Sequence, residues 1–414
     1  MTISPTLAIN QEIARRRAAG LATVALGFGE ASVPVHPALV TQLRAHAHRG
    51  DYGPVAGDAV LREAVAGYWE RRGLPTRPDD VVCAPGTKPL LYALFGALDG
   101  PVLLPRPSWV SYAAQHLLLG REVVQLATRP GAGGVPDPAL VDETATRMRQ
   151  AGRPAAAVLL TLPDNPTGTV ASADLVEDLC AVADRHDLLV ISDEIYRDLV
   201  HDGSAVPTPA AVLPARTVTT YGLSKSLAVG GWRMGFARFP QELAALRGRV
   251  LTAASEIWSA APQPVQQAAA WAVQEPPELA EHVAASRVLH GKVARAVAEV
   301  FTGAGARVAA PRAAFYVYPD LEPRRDRLDA RGIRTGDDLA RALLEEHGVA
   351  TLPGSAFGDS RDRLCLRIAT SMIYGEDDEQ RGRALMADDP TRLPWVADAL
   401  AHLRSALEQL TAAG

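Results

Sequence analysis

Lysine is nearly missing from this 414-residue chain: Lys88, Lys225 and Lys292 are three of its 42 basic residues, and the rest are arginine. Cysteine is as scarce. Cys83, Cys180 and Cys365 form an odd, scattered set with no C-x-x-C spacing, which excludes a disulfide framework and a cysteine zinc site and fits a reducing cytosol. The ten histidines never form an H-x-x-x-H pair, so no metal centre is expected. Basic residues do not outnumber the 47 acidic ones, and the net charge of -5 argues against a nucleic-acid or anionic-membrane partner. No apolar run approaches the roughly 18 residues of a membrane helix. The N-terminus MTISPTLAINQEIARRR lacks the apolar core of a signal peptide. A soluble, cytoplasmic protein is expected.

What is present is ordinary for a globular enzyme: 48% hydrophobic and 21% charged residues, with length for two or three compact units. A helical start precedes an extended stretch at Ala22–Leu26, which ends in Gly27-Phe28-Gly29-Glu30. Asp58 is placed to cap a helix from Ala59 to Tyr68. From about residue 80, short apolar strands alternate with helices: Val81–Cys83, Val102–Leu104, Val123–Leu126, Ala156–Thr161, Leu188–Ser192, Thr217–Thr220 and Gly235–Phe239. Continuous apolar runs of this length, separated by helices, predict strands buried on both faces of a largely parallel sheet. Helical sequence dominates from about 241 to 305. A second alternating section follows at Arg307–Ala309, Ala314–Tyr318, Val349–Leu352 and Arg363–Ile368, and ends in a helix from Trp395 to Leu410. It predicts a smaller α+β domain.

The chemistry gathers around one lysine. Ser224-Lys225-Ser226 lies among small residues, and Arg233 follows in Gly230-Gly231-Trp232-Arg233. Lysine differs from arginine in that a desolvated amine can lose its proton and form a Schiff base. A sheltered lysine with an anion-binding arginine just downstream is what a pyridoxal 5'-phosphate (PLP) enzyme requires.

Four other strand ends belong with it, since open α/β sheets bind ligands at the carboxyl ends of their strands. Gly86-Thr87-Lys88 follows a strand and opens a helix, where backbone N–H groups and a hydroxyl make a phosphate cradle. Asp164-Asn165-Pro166-Thr167-Gly168 is a turn by composition, and Asn165 is placed to donate to a phenolic oxygen. Ser192-Asp193-Glu194-Ile195-Tyr196 offers Asp193 either as a helix cap or as the partner of a pyridinium nitrogen. Tyr196 is in reach of the phenolic oxygen. Arg367, between Leu366 and Ile368, is costly to bury unless it meets an anion, and its fork suits a carboxylate. Cys365 alternates onto the same face and reads as packing.

With these residues together, the chain resembles the fold-type I PLP enzymes, and among them the class I aminotransferases related to aspartate aminotransferase, from about residue 20 to the end. Tyr52-Gly53-Pro54 through Leu61-Arg62 is similar to the family's Y-x-P-x-x-G-x-x-x-L-R segment. The resemblance implies that Tyr52 reaches the phosphate of a neighbouring subunit's cofactor, and hence a homodimer with shared active sites. It implies that Trp109 in Pro107-Ser108-Trp109 stacks on the pyridine and that Gly29 lies near the substrate carboxylate. Asn165, Asp193, Tyr196, Lys225, Arg233 and Arg367 match the family's site positions. The implied roles are Lys225 holding PLP as an internal aldimine and moving the Cα proton, with Asp193 stabilising the quinonoid. Arg367 then anchors the α-carboxylate.

Two positions depart from the family: Gly222 stands where a phosphate-binding Ser or Thr is usual, and Gly29–Val33 reads GEASV in place of G-E-P-D-F. Phosphate binding is therefore expected to rest more on Thr87, Ser224, Arg233 and backbone amides, or on a shifted loop. The implied fold is a mostly parallel, seven-stranded-type PLP domain at 46–290, an N-terminal arm at 1–45 and a small domain at 291–414. The implied reaction moves an amino group from an α-amino acid to a 2-oxo acid. A C–S β-lyase or a decarboxylating or oxidative deaminase on the same scaffold is the alternative.

Overall fold

The computed structural model describes residues 3–412. A two-residue strand, β1 (Val24–Ala25), precedes the main sheet. The main sheet contains β2 (Val81–Ala84), β3 (Val102–Arg106), β4 (Val124–Arg129), β5 (Ala132–Pro136), β6 (Ala157–Thr161), β7 (Leu189–Asp193), β8 (Thr217–Gly222) and β9 (Gly235–Arg238). Their spatial order is β2-β9-β8-β7-β6-β3-β4-β5. Strands β4, β3, β6, β7 and β8 pair in parallel, while β9 runs antiparallel to both neighbours. The short β8–β9 connection has no crossover helix to bring the chain back to the starting edge, so β9 must reverse.

The sheet has eight strands where seven are expected. The addition, β5, folds back on β4 through Pro130-Gly131, and Gly131 takes φ 75° there. Glycine and proline are depleted in strands, so the sequence Ala-Gly-Gly-Val-Pro carries no strand signal of its own. It survives as an edge strand in a two-residue hairpin.

Burial on both faces explains the unbroken apolar runs. In β6, Val158 and Leu160 join the core under the helices Pro138–Gln150 and Ala173–Arg185, whereas Ala157 and Leu159 face the core containing Leu90, Leu94 and Val250. Alternation of period two therefore buries every residue. Asp58 caps Ala59–Glu70 by accepting the Val60 N–H at 3.0 Å.

The smaller unit also contains β10 (Tyr316–Val317), β11 (Val349–Ala350), β12 (Leu352–Pro353) and β13 (Leu366–Ala369). Val349–Leu352 is thus split between two sheets: β1-β11 is parallel, and β10-β13-β12 is antiparallel. The expected strand Arg307–Ala309 is reduced to a single bridge from Arg307 to Asp320. Pro311 cannot donate to a ladder, which stops any extension. Val24, Leu26 and Val33 pack into the same core as Val293, Phe301, Leu343 and Leu407, so the N-terminal segment is built into the C-terminal unit. Among the described residues, no helix is long and apolar enough to cross a membrane.

Candidate active site

The carboxyl ends of β3, β6, β7 and β8 open on one cavity of about 330 Å³. Gly29, Thr87, Lys88, Trp109, Asn165, Asp193, Tyr196, Ser224, Lys225, Arg233 and Arg367 all line it. Eleven of the thirteen residues singled out from the sequence are brought together here.

Strand β8 ends at Gly222 and turns at once into a single helical turn, Leu223–Ser226, which carries Lys225. The Lys225 Nζ donates to the Gly29 carbonyl at 2.6 Å. Burial lowers its pKa to about 8; the nearby Glu30 opposes this, while Arg367, Arg233 and Lys88 add to it. A free amine therefore lies about 1 kcal/mol from the ammonium near neutral pH, as a nucleophilic lysine requires.

An anion corner lies beside it. Gly86, with φ 95°, leads into the helix Thr87–Gly96, whose first-turn N–H groups have no partner within the helix. Arg233 is held in the left-handed region (φ 56°, ψ 66°) and donates to the Gly230 carbonyl at 2.9 Å. Such a conformation in a non-glycine residue is costly and marks a constrained site. A Cβ on Gly86 would collide with the Arg233 guanidinium, so glycine is what lets the arginine reach this corner. Gly86 contributes backbone and does not line the cavity. Lys88 stands 5.2 Å from the Trp109 ring centre, and its pKa is lowered by burial and by Arg233.

At the base, Asp193 accepts from Tyr112 Oη at 2.7 Å and Thr220 Oγ1 at 3.1 Å. Burial nonetheless raises its pKa to about 6, against those hydrogen bonds. A cation facing this carboxylate would restore its charge. Tyr196 Oη lies 2.8 Å from Tyr316 Oη and 3.4 Å from Asn165 Nδ2. Burial keeps the Tyr196 phenol protonated, and the buried Asn165 Oδ1 has no partner.

Arg367 closes the opposite wall from β13. It is fully buried, donates from Nη2 to the Gly27 carbonyl at 2.5 Å, and leaves Nε without a partner. The Tyr316 and Phe357 rings lie 5.2 and 5.0 Å from its guanidinium carbon. Among the described residues no carboxylate neutralises it, so it is prepared for an external one. A Cβ on Gly29 would stand 2.5 Å from Tyr316 Oη and 2.9 Å from Arg367 Nη1; the glycine keeps this corner open.

Tyr52 is not at this cavity. Its side chain is 92% exposed. At Gly222, a Cβ would lie 2.8 Å from the Met234 carbonyl and 3.1 Å from the Gly235 Cα, because Gly222 pairs with Gly235 across β8 and β9. A hydroxylated side chain there has no room.

Several further site residues were not singled out from the sequence. Tyr112 lies one helical turn beyond Trp109 and shares its side of the helix, a spacing that points to it. Thr161 is the last residue of β6, also a readable position. Tyr316 enters through its contact with Tyr196 across the two units, and Phe357 only through its contact with Arg367 inside the smaller one.

Residues 23–379 match the family model for aminotransferase class I and II. The chain is 32% identical over 368 residues to the aspartate/prephenate aminotransferase of Thermus thermophilus, covering 86% of this chain and 89% of that protein. It is 32% identical over 394 residues to the aspartate aminotransferase of Geobacillus stearothermophilus, covering 90% and 93%. Among solved structures it is similar to aspartate aminotransferase from Thermus thermophilus with maleate, with a TM-score of 0.79 at 30% identity over 93% of this chain and 96% of that one. With the match spanning both units and every cavity residue singled out from the sequence, the chain belongs to the aminotransferase class I and II family.

Proposed function

We propose that this aminotransferase binds PLP in the cavity, joined to Lys225, and moves the amino group of an α-amino acid to a 2-oxo acid. One observation carries the reading: the cavity holds a half-buried lysine whose pKa is lowered to about 8, between a buried carboxylate and an arginine that has no carboxylate partner among the described residues.

The donor set fits PLP. Arg233, Ser224, Thr87 and the amides opening Thr87–Gly96 suit a phosphate dianion. Trp109 supplies a flat face, and Asn165 and Tyr196 offer donors for a phenolate. Asp193, pushed up by burial, suits a protonated ring nitrogen, and the unpartnered Asn165 Oδ1 and Arg367 Nε await polar groups. When bound, PLP supplies an electron sink for the pair left at Cα as its proton departs. The chain's residues do the rest. Arg367 fixes the α-carboxylate and so decides which Cα bond stands over Lys225. The Lys225 Nζ takes the Cα proton and returns it one position along. Asp193 keeps a proton on the ring nitrogen, and the Tyr316, Phe357 and Trp109 rings keep water off the reacting face.

The same reading gives a homodimer. Tyr52 is exposed and does not line its own cavity, which leaves it free to serve a neighbour's. It also retains the division at 1–45, 46–290 and 291–414, supported by the shared core of residues 24–33 and 289–410. A cytoplasmic setting rests on three cysteines that are all buried and free.

The test is a half-reaction. The holoenzyme is titrated with single α-amino acids, and its visible cofactor band should convert to that of pyridoxamine phosphate and return on addition of a 2-oxo acid. Release of pyruvate and a thiol, or of CO₂ with consumption of O₂, would replace transamination by one of its alternatives.

A further inference from the structure

Behind Lys225, away from the cavity, the larger unit holds a partly buried polar cluster that the reaction described above does not use. Asp198 is its hub. Its carboxylate accepts Tyr68 Oη at 2.8 Å and Arg72 Nη2 at 3.1 Å, and it also accepts the Tyr221 hydroxyl. The Tyr68 and Tyr221 rings stack at 5.0 Å with 24° between their planes. Arg72 caps the Tyr68 ring at 3.5 Å and continues to Glu275. Tyr221 Oη lies 2.8 Å from Ser226 Oγ.

Proton counting orders these bonds. A phenol has one proton. Both tyrosines stay protonated, since burial and the Asp198 charge raise them well above 10. Tyr221 gives its proton to Asp198, an acceptor, so Ser226 must donate to Tyr221. The chain Ser226 to Tyr221 to Asp198 therefore runs in one direction.

Its two ends meet the site. Ser226 is the residue after Lys225 and closes the turn Leu223–Ser226. Asp198 sits in the turn Arg197–Leu199, which begins at Tyr196, and the Leu199 N–H closes it on the Tyr196 carbonyl at 2.9 Å. Gly222 at the front of the lysine turn has no side chain to anchor it, so its side-chain tether lies at the rear.

We propose that Asp198, acting through Tyr221 and Ser226, is a positioning residue that fixes the lysine-bearing turn against the Tyr196 turn. This rests on Lys225 being the covalent lysine. A loosened turn leaves the substrate sites intact and changes only where the amine points. Misplacement by about 1 Å costs on the order of 100-fold in rate.

The test uses the holoenzyme with Tyr221→Phe and Ser226→Ala, alone and combined; both keep the fold-forming bulk, and Tyr221→Phe keeps the ring stack. Each single variant is expected to lose about tenfold in kcat with KM for amino acid and 2-oxo acid unchanged, the split expected when orientation alone is lost. The visible cofactor band titrates the nitrogen that joins Lys225 to the cofactor, so its pH midpoint should shift from the wild-type value as the turn loosens, and the double variant should cost no more than the worse single one, because both cut one path. Wild-type kcat and midpoint in both variants would overturn the proposal. So would a lowered melting temperature with kcat and midpoint unchanged, or full additivity. If borohydride links the wild-type cofactor to Lys88 or Lys292, the functional reading itself fails, and that result is read without any variant.

Discussion

Lys225 should make the cofactor-free protein less stable than it would be without it. The ordinary lysine pKa is 10.5, and burial brings this one to about 8. At 1.36 kcal/mol per pH decade, that gap corresponds to about 3.4 kcal/mol against the folded state when the amine must be carried in protonated. The sign follows from proton binding. Between pH 8 and 10.5 the unfolded chain holds the Lys225 proton and the folded chain has released it, so stability rises with pH across that window. Below pH 8 the full cost is present; above 10.5 it is gone.

Lys225→Met keeps most of the volume and removes the charge. It also removes the donor to the Gly29 carbonyl. That carbonyl stands at a cavity wall which water can enter, so the loss is at the low end of a lost partner, about 1 kcal/mol. The variant should therefore exceed wild type by about 2 kcal/mol at pH 7, and the two should converge as pH approaches 10.5. Urea unfolding of cofactor-free wild type and variant, at equal protein concentration and at pH 7 and 10, measures this directly. A variant equal to or weaker than wild type at pH 7, or a difference that does not change with pH, would refute the reasoning. The lysine would then not be a desolvated amine.

Arg367→Lys keeps a charge and loses the fork; one charged hydrogen bond is worth about 1.5–3 kcal/mol, so KM for the amino acid should rise about 13- to 160-fold with cofactor affinity unchanged, by saturation of the half-reaction. Gly29→Ala places a methyl 2.9 Å from Arg367 Nη1 and should weaken the same carboxylate contact without altering the visible band. Gly222→Ser should lower the melting temperature and not tighten PLP, since its Cβ would meet the Met234 carbonyl at 2.8 Å; tighter binding by equilibrium dialysis would show that the β8–β9 pair yields. Tyr52→Phe should weaken PLP binding about tenfold if its hydroxyl meets a neighbour's phosphate, and an active monomer in sedimentation would remove that role.

Legibility in the sequence followed how local each constraint is. Lys225, Asp193, Asn165 and the Gly86–Lys88 turn sit where a strand ends, and strand ends of a parallel sheet point one way, so four separate short segments were bound to meet. The buried strands were readable because β6 and β7 put successive residues into two different cores and keep their polar residues to the carboxyl ends, at Thr161, Ser192 and Asp193. Arg367 was readable for the opposite reason: a charge in an apolar strand must have a use. Tyr316 and Phe357 were not, because each looks like core sequence, and only the pairing of β10 and β12 with β13 inside the smaller unit turns their rings onto the Arg367 guanidinium. The edge strand β5 is made by its hairpin rather than by its residues, and Arg307–Ala309 had strand residues but pairs only at Arg307, with Asp320.

Gly222 shows where residue-by-residue comparison with a family stops and packing takes over. Read alone, it is a missing phosphate ligand. In the fold it faces Gly235 across two antiparallel strands, and that close approach brings the Arg233 loop back beside Gly86 and Thr87. A hydroxyl at 222 would push β9 away and carry Arg233 with it. The arginine and the helix start therefore take over anion binding because the glycine pair lets them approach, and the hydroxyl at Ser226, four residues later, ties the same turn down from the other side. The missing side chain and the rear tether are two parts of one arrangement of the lysine turn.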